Sequence, residues 1–274
     1  MFRAAAVVLA GFFVLAALPD PVAPDPASPR PIDAVNSVFI EDLTWMEIRD
    51  ALKNGVDTAI VATGGIEQNG PYLVTGKHNV VLRGTTEAIA RKLGKTLVAP
   101  IVPFVPEGDI SPPSLHMKYP GTISVTEDTF AALLTDIISS LKTHGFRRII
   151  LIGDSGGNQA GMRDVAAKLN AGWKGVPQVI YVPEYYDYGN ATAWVQQQGI
   201  KQEAEGLHDD FVMSTQMIAL DPRTVRAEQR MKAGNFKING VPLAPIESSA
   251  AWGRKIIAYR AEQTVKAIQK HPQP

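Results

Sequence analysis

The sequence predicts an α/β fold, a three-layer sandwich with a mainly parallel central sheet. Three observations carry this. Short apolar, β-branched runs such as "TAIVAT" and "RRIILIG" end in glycine-bearing loops, as strands buried on both faces do. Segments with helical periodicity alternate with those runs, which argues for parallel strands joined by helical crossovers. The chain has 274 residues and is 45% hydrophobic, enough for one large core rather than two small ones.

At the start, Arg3 precedes "AAAVVLAGFFVLAAL", a run of signal-peptide length that is short for a bilayer span. "PDPVAPDPASPRPID" follows, and its prolines cannot continue a helix. Residues 1–23 therefore read as a signal peptide, with small residues near Ala17 and Ala23 as cleavage positions. Residues 24–38 read as a proline-rich linker and residues 39–274 as a single domain. A membrane-anchoring helix is the alternative for the first segment. On the signal-peptide reading the mature chain is exported, periplasmic or secreted, and has no membrane contact. Zero cysteines agree with that address and remove disulfides and thiolate metal sites.

"DLTWMEIRDALKNG" reads as a helix capped by Asp42 or Thr44 and stopped at Gly55. "TAIVATGG" is the first strand, "VVLRGTTEAIARKLG" a helix, and "TLVAPIVPFV" a strand broken by prolines. "EDTFAALLTDIISSLKTHG" is a helix and "RRIILIG" a buried strand. "NQAGMRDVAAKLNAGW" is a helix again and "PQVIYVPEYY" a strand. A long helical segment is expected from Ala191 to about Leu220, then a turn at Asn239-Gly240, then the closing helix "SSAAWGRKIIAYRAEQTVKAIQK".

Lys and Arg together number 27, as do Asp and Glu, so no basic face favours nucleic acid. A small-molecule ligand is the better expectation. In open α/β sheets ligands bind beyond the carboxyl ends of the strands. Loops 65–79, 105–120, 153–158 and 184–190 leave strands at that end. His78 and His116 lie in the first two, and His208 lies on or before a later helix. His144 is at a helix end, where a cation suits the dipole.

Two loops carry chemistry. "GDSGGN" after the "RRIILI" run satisfies G-x-S-x-G, so Ser155 is a candidate nucleophile, with Asp187 and His208 following in the order of a serine esterase. "GGIEQNGPYLVTGKHN" packs Glu67, Asn69, Tyr72 and His78 between glycines and a proline, which suits a site for zinc or manganese.

That second loop resembles the creatininase family loop, approximately E-Q-H-G-P-H-L-P-L-G-T-D. Glu67-Gln68, Gly70-Pro71, Leu73 and Gly76 match. "YPGTISV" at 119–125 resembles F-P-G-T-[IL]-S-[VL], with His116 matching a histidine ahead of it. "LIGDSGGN" resembles [LV]-x-N-G-H-G-G-N, and "GLHDDFVMSTQMIALDPRTVR" resembles H-A-G-x-x-E-T-S-x-x-[LM] and its P-x-x-V-R ending. The resemblance runs from about residue 41 to 265. It implies a creatininase-like fold, hydrolysis of a cyclic or other non-peptide C–N bond, and ring-like homo-oligomers, often hexamers.

The departures fall where the resemblance places two metals. Glu67 is kept, but Asn69, Tyr72, His78, Ser155 and Met213 stand where the family has His, His, Asp, His and Glu. Either the site has decayed into a non-catalytic binding protein, or its ligands have been exchanged. Exchange gives Glu67, His78 and Asp154 around one divalent ion, zinc or manganese, with an open position for water. His208 or Asp209 then donates a proton to the leaving nitrogen. Asn69, Tyr72, His116 and Ser155 face the substrate, while Tyr185, Tyr186, Tyr188 and Trp194 are candidate walls. Glu107 and Asp109 are further polar groups of the second loop.

Overall fold

The computed structural model describes residues 25–174 and 176–271. The signal peptide expected at 1–23 lies outside the described residues. Residues 25–33 belong to a unit of their own, with a turn closed by Ser28 N–H on the Asp25 carbonyl at 2.8 Å. The second unit runs from Ala34 to the carboxyl terminus. Among the described residues no helix is long and apolar enough to cross a membrane.

Four strands form one parallel sheet: β1 (Thr58–Thr63), β2 (Thr96–Val98), β3 (Arg148–Gly153) and β4 (Gln178–Tyr181), in the order β2-β1-β3-β4. Their side chains alternate between two cores. Ala59, Val61, Ile149, Leu151 and Val179 join Phe130, Leu134 and Ile138 of α3 (Glu127–Thr143) and Met162 of α4 (Asn158–Trp173). Ile60, Ala62, Ile150, Ile152 and Ile180 join Leu82 and Ile89 of α2 (Lys77–Leu93) and Ala261 and Ile268 of the closing helix (Ile246–Gln269). Helices on both faces make the three layers. α1 (Trp45–Lys53) starts at Thr44, whose hydroxyl accepts from Glu47 N–H while Glu47 caps Thr44 N–H, so Thr44 and not Asp42 is the cap.

The proline-broken strand survives only as β2. Pro100 and Pro103 lack the N–H a ladder needs, and beyond Val98 the segment makes single bridges, Thr63 with Val102 and Val105 with Ser124. The long helical segment is two helices, α5 (Tyr188–Gln197) and α6 (Phe211–Leu220). Gly199 and Gly206 between them have φ of 95° and 76°, and Asp210 caps α6 through Met213 N–H at 2.6 Å. After the short α7 (Ala227–Lys232), a hairpin of β5 (Lys237–Ile238) and β6 (Val241–Pro242) turns at Asn239-Gly240, both with positive φ. The closing helix is α8.

Candidate metal centre

β1 delivers the chain at its carboxyl end to a loop that returns on itself. Asn69 Nδ2 donates to the Glu67 and Val74 carbonyls at 2.9 and 3.1 Å, which holds that return. Asn69 is scaffolding here and does not line the cavity at this end of the sheet. Tyr72 points elsewhere as well: its hydroxyl accepts from Asn235 and its ring lies under the Arg230 guanidinium at 4.2 Å. Neither expected substrate contact is at the cavity. His78 is not a loop residue either, because α2 begins at Lys77 and carries it in the first turn.

Glu67, His78 and Asp154 do converge. His78 Nε2 is 2.8 Å from Glu67 Oε1, and Nδ1 is 2.8 Å from Asp154 Oδ2. Burial disfavours the imidazolium, but the hydrogen bonds to Asp154 and Glu67 overcome it and raise the His78 pKa. With both ring nitrogens donating to carboxylates, His78 has no lone pair for an ion. Asp154 is engaged too. Its Oδ1 accepts from Tyr188 Oη at 2.7 Å and Arg260 Nη2 at 2.9 Å. Burial opposes its charge, yet Arg260 and the His78 hydrogen bond bring its pKa down to about 2. The ligand set expected from exchange is thus a hydrogen-bonded chain, Glu67–His78–Asp154–Arg260.

A different trio meets the geometry of an ion site. Ligand atoms of Glu67, His116 and His208 all lie within 4.8 Å of one another. His208 Nε2 is 2.9 Å from Glu67 Oε1, His116 Nε2 is 3.2 Å from Oε2, and the two rings are 4.8 Å apart. Three imidazoles and the Lys77 ammonium surround Glu67. Burial opposes ionisation of Glu67, but hydrogen bonds from His208 and His78 hold it far below the usual carboxylate range. Burial lowers the His116 pKa, which keeps its imidazole neutral, the form that ligates. His116 Nδ1 is buried without a partner. Two imidazoles and a carboxylate are a donor set for zinc, so these residues fit such an ion.

The trio opens on a cavity of about 480 Å³. Glu107 lines it, 3% exposed, with Oε2 accepting from Ser155 Oγ at 3.4 Å. Burial, and then the charge of Glu67, push its carboxyl up to about 8. Gly65 makes room for it, since a Cβ there would stand 2.1 Å from Glu107 Oε1. Asp209 also lines the cavity, pushed up to about 7 chiefly by burial, against the single hydroxyl of Ser214, whose Oγ lies 3.0 and 2.9 Å from its two oxygens. Tyr186 and Tyr188 wall the cavity, whereas Tyr185 is buried in the core and Trp194 stacks on Tyr259.

The esterase triad does not assemble. Asp187 caps α5 through Asn190 N–H, His208 faces Glu67, and Ser155 Oγ turns to Glu107.

Lys77 and Arg260 escaped the sequence reading. Arg260 sits among Ile256, Ile257, Ala261 and Thr264 on the buried face of α8, a periodicity that flags an interior charge. Lys77 is a cation in the first turn of a helix, the end that disfavours one.

Residues 41–268 match the family model described as "Creatininase: Creatinine amidohydrolase". The chain belongs to the creatininase family. A 3-dehydro-scyllo-inosose hydrolase of Thermotoga maritima is 27% identical over 191 residues, 70% of this chain and 58% of that protein. A creatinine amidohydrolase of Pseudomonas putida is 26% identical over 116 residues, 42% of this chain and 44% of that protein. The matches thus span about half the length of these curated creatininase relatives. A solved creatininase structure superposes with a TM-score of 0.66 at 20% identity, covering 88% of this chain and all of the other. One titled "Creatininase Mn" gives 0.64 at 19%, and another carries "Zn-Zn type" in its title. The creatininase fold is shared.

Proposed function

We propose that this chain hydrolyses the C–N bond of a small, polar, cyclic amide, using one divalent ion, zinc or manganese, held by Glu67, His116 and His208. The observation that carries this reading is the convergence of those three ligand atoms at the mouth of the cavity. A bound ion would supply a polarising charge and a water of lowered pKa. The chain's own groups do the rest. Glu107 and Asp209 keep protons near neutral pH because they are buried, so each is placed to protonate a leaving nitrogen. His208 moves from the expected proton donor to ligand. The His78–Asp154–Arg260 chain fixes Glu67 in position. The family relatives named for creatinine and for an inosose support a small carbonyl-bearing ring as substrate. The apolar run after Arg3 supports export, and the family resemblance supports a homo-oligomer.

The test is elemental analysis of the mature chain purified without chelator, with creatinine and other ring amides as substrates. About one zinc or manganese per chain is expected. Glu67→Gln should lose the ion and at least about a hundredfold in turnover. Fluorophosphonate should not label Ser155. Metal-free protein that turns over ring amides, or labelling at Ser155, overturns the reading. An ion-loaded chain that hydrolyses none of them is a binding protein instead.

A further inference from the structure

Lys77 is 4% exposed, lines the cavity, and stands at the first position of α2. Its ammonium lies 3.2 Å from Glu67 Oε1 and 3.4 Å from the His208 carbonyl. An ammonium has three donors, and these are two acceptors. The positive end of the α2 dipole is the wrong place for a cation, so a local carboxylate must hold it there. Among the described residues Glu67 is its one ion-pair partner; Asp209 and Asp210 feel its charge from farther away. The other cations are differently placed. His78 lies between Glu67 and Asp154, and Arg260 pairs with Asp154. Lys77 is thus the cation of this cluster whose one ion-pair partner, among the described residues, is a proposed ion ligand. A divalent ion arriving at Glu67 meets that ammonium a few ångströms away, inside protein walls that screen less than water.

We propose that Lys77 is a built-in competitor of the divalent ion: its ammonium neutralises Glu67 in the ion-free protein, and ion entry displaces it. This rests on the ligand set Glu67, His116 and His208. The consequence is an ion held more weakly than the same three donors would hold it beside a neutral residue. Lys77 occupies the site electrostatically, keeps the cluster assembled, and yields as ion concentration rises.

The experiment is calorimetric titration of Mn²⁺ and of Zn²⁺ into chelator-treated protein at one fixed pH. Wild type is compared with Lys77→Met, Lys77→Gln and Lys77→Arg, each checked for fold by circular dichroism. The two neutral variants guard against one failing to fold. Both should bind the ion at least about tenfold tighter than wild type, with unchanged stoichiometry. Lys77→Arg, which keeps the charge, should stay near wild type. Equal or weaker binding by the neutral variants overturns the competition while leaving the ligand set intact. Binding by no protein overturns both. Binding by the neutral variants alone supports the competition and removes the ion from the wild-type reaction, leaving an ammonium in its place.

Discussion

His78 sits in the first turn of α2 with a carboxylate oxygen 2.8 Å from each of its ring nitrogens. Glu67, His78 and Asp154 come from different segments and meet, but the ring joins the carboxylates through its own two N–H groups. Asp154 is the pivot of that chain, fully buried and shared by His78, Tyr188 and Arg260. Asp154→Asn leaves the Arg260 guanidinium, 5% exposed, without its carboxylate. Removing one partner of a buried ion pair costs about 3–5 kcal/mol, and urea unfolding at neutral pH should show a loss of that size. The folded pKa is depressed to about 2 from an ordinary 3.8, so the wild-type advantage is full above 3.8 and disappears as pH falls through about 2. Glu107 runs the other way. Its folded pKa, about 8, exceeds the ordinary 4.5, so its contribution is full below 4.5 and is lost as pH rises through about 8. In chelator-treated protein, Glu107→Gln should gain stability over wild type across that window, by at most about 1.4 kcal/mol per pH unit. A gap that stays flat with pH would show that Glu107 titrates normally. Glu67 and His208 were legible because the loop and its resemblance mark them. Lys77 and Arg260 were not, because a long cationic chain gives no local sign of whether it is solvated or drawn inward.

At the scale of elements, periodicity was a sound guide wherever tertiary contacts agreed with it. "TAIVAT" and "RIILIG" are buried at every position, and their alternation feeds two cores. It failed where backbone chemistry interrupts. Gly199 and Gly206 ended a helix that composition alone continued, and prolines reduced a ten-residue apolar run to a three-residue strand. The crossing of α6 and α8 turns on one residue. A Cβ at Gly253 would stand 1.9 Å from the Thr215 carbonyl oxygen, which is backbone and cannot rotate away. Gly253→Ala therefore forces the helices apart despite alanine's higher helix propensity, and should destabilise by about 1–3 kcal/mol in denaturant unfolding. Arg260 lies on α8 two turns beyond, so the same shift should disturb its bond to Asp154. A neutral or stabilising result would mean that the two helices do not approach this closely in solution.

For the whole molecule, the proposed ligands are spread widely along the chain. Glu67 follows β1, His116 lies in the loop beyond β2, and His208 precedes α6. An ion held by all three closes long loops that unfolding must reopen, and the unfolded chain cannot gather the same donors. Binding to the folded state alone stabilises it by about 2.7 kcal/mol at an ion concentration a hundredfold above Kd. For a domain of this size each kcal/mol moves Tm by roughly 2–4 °C, so zinc or manganese should raise it by roughly 5–10 °C in a single cooperative transition. Chelator should reverse the shift, and Glu67→Gln should lack it. Lys77 bears on the size of the shift. If its ammonium already neutralises Glu67, ion-free protein begins with a paired carboxylate, and more ion is needed for a given rise. The midpoint concentration should therefore fall in Lys77→Met. A transition indifferent to every divalent ion tested, in wild type and variant alike, would mean that three imidazoles and an ammonium gather at Glu67 for its charge alone.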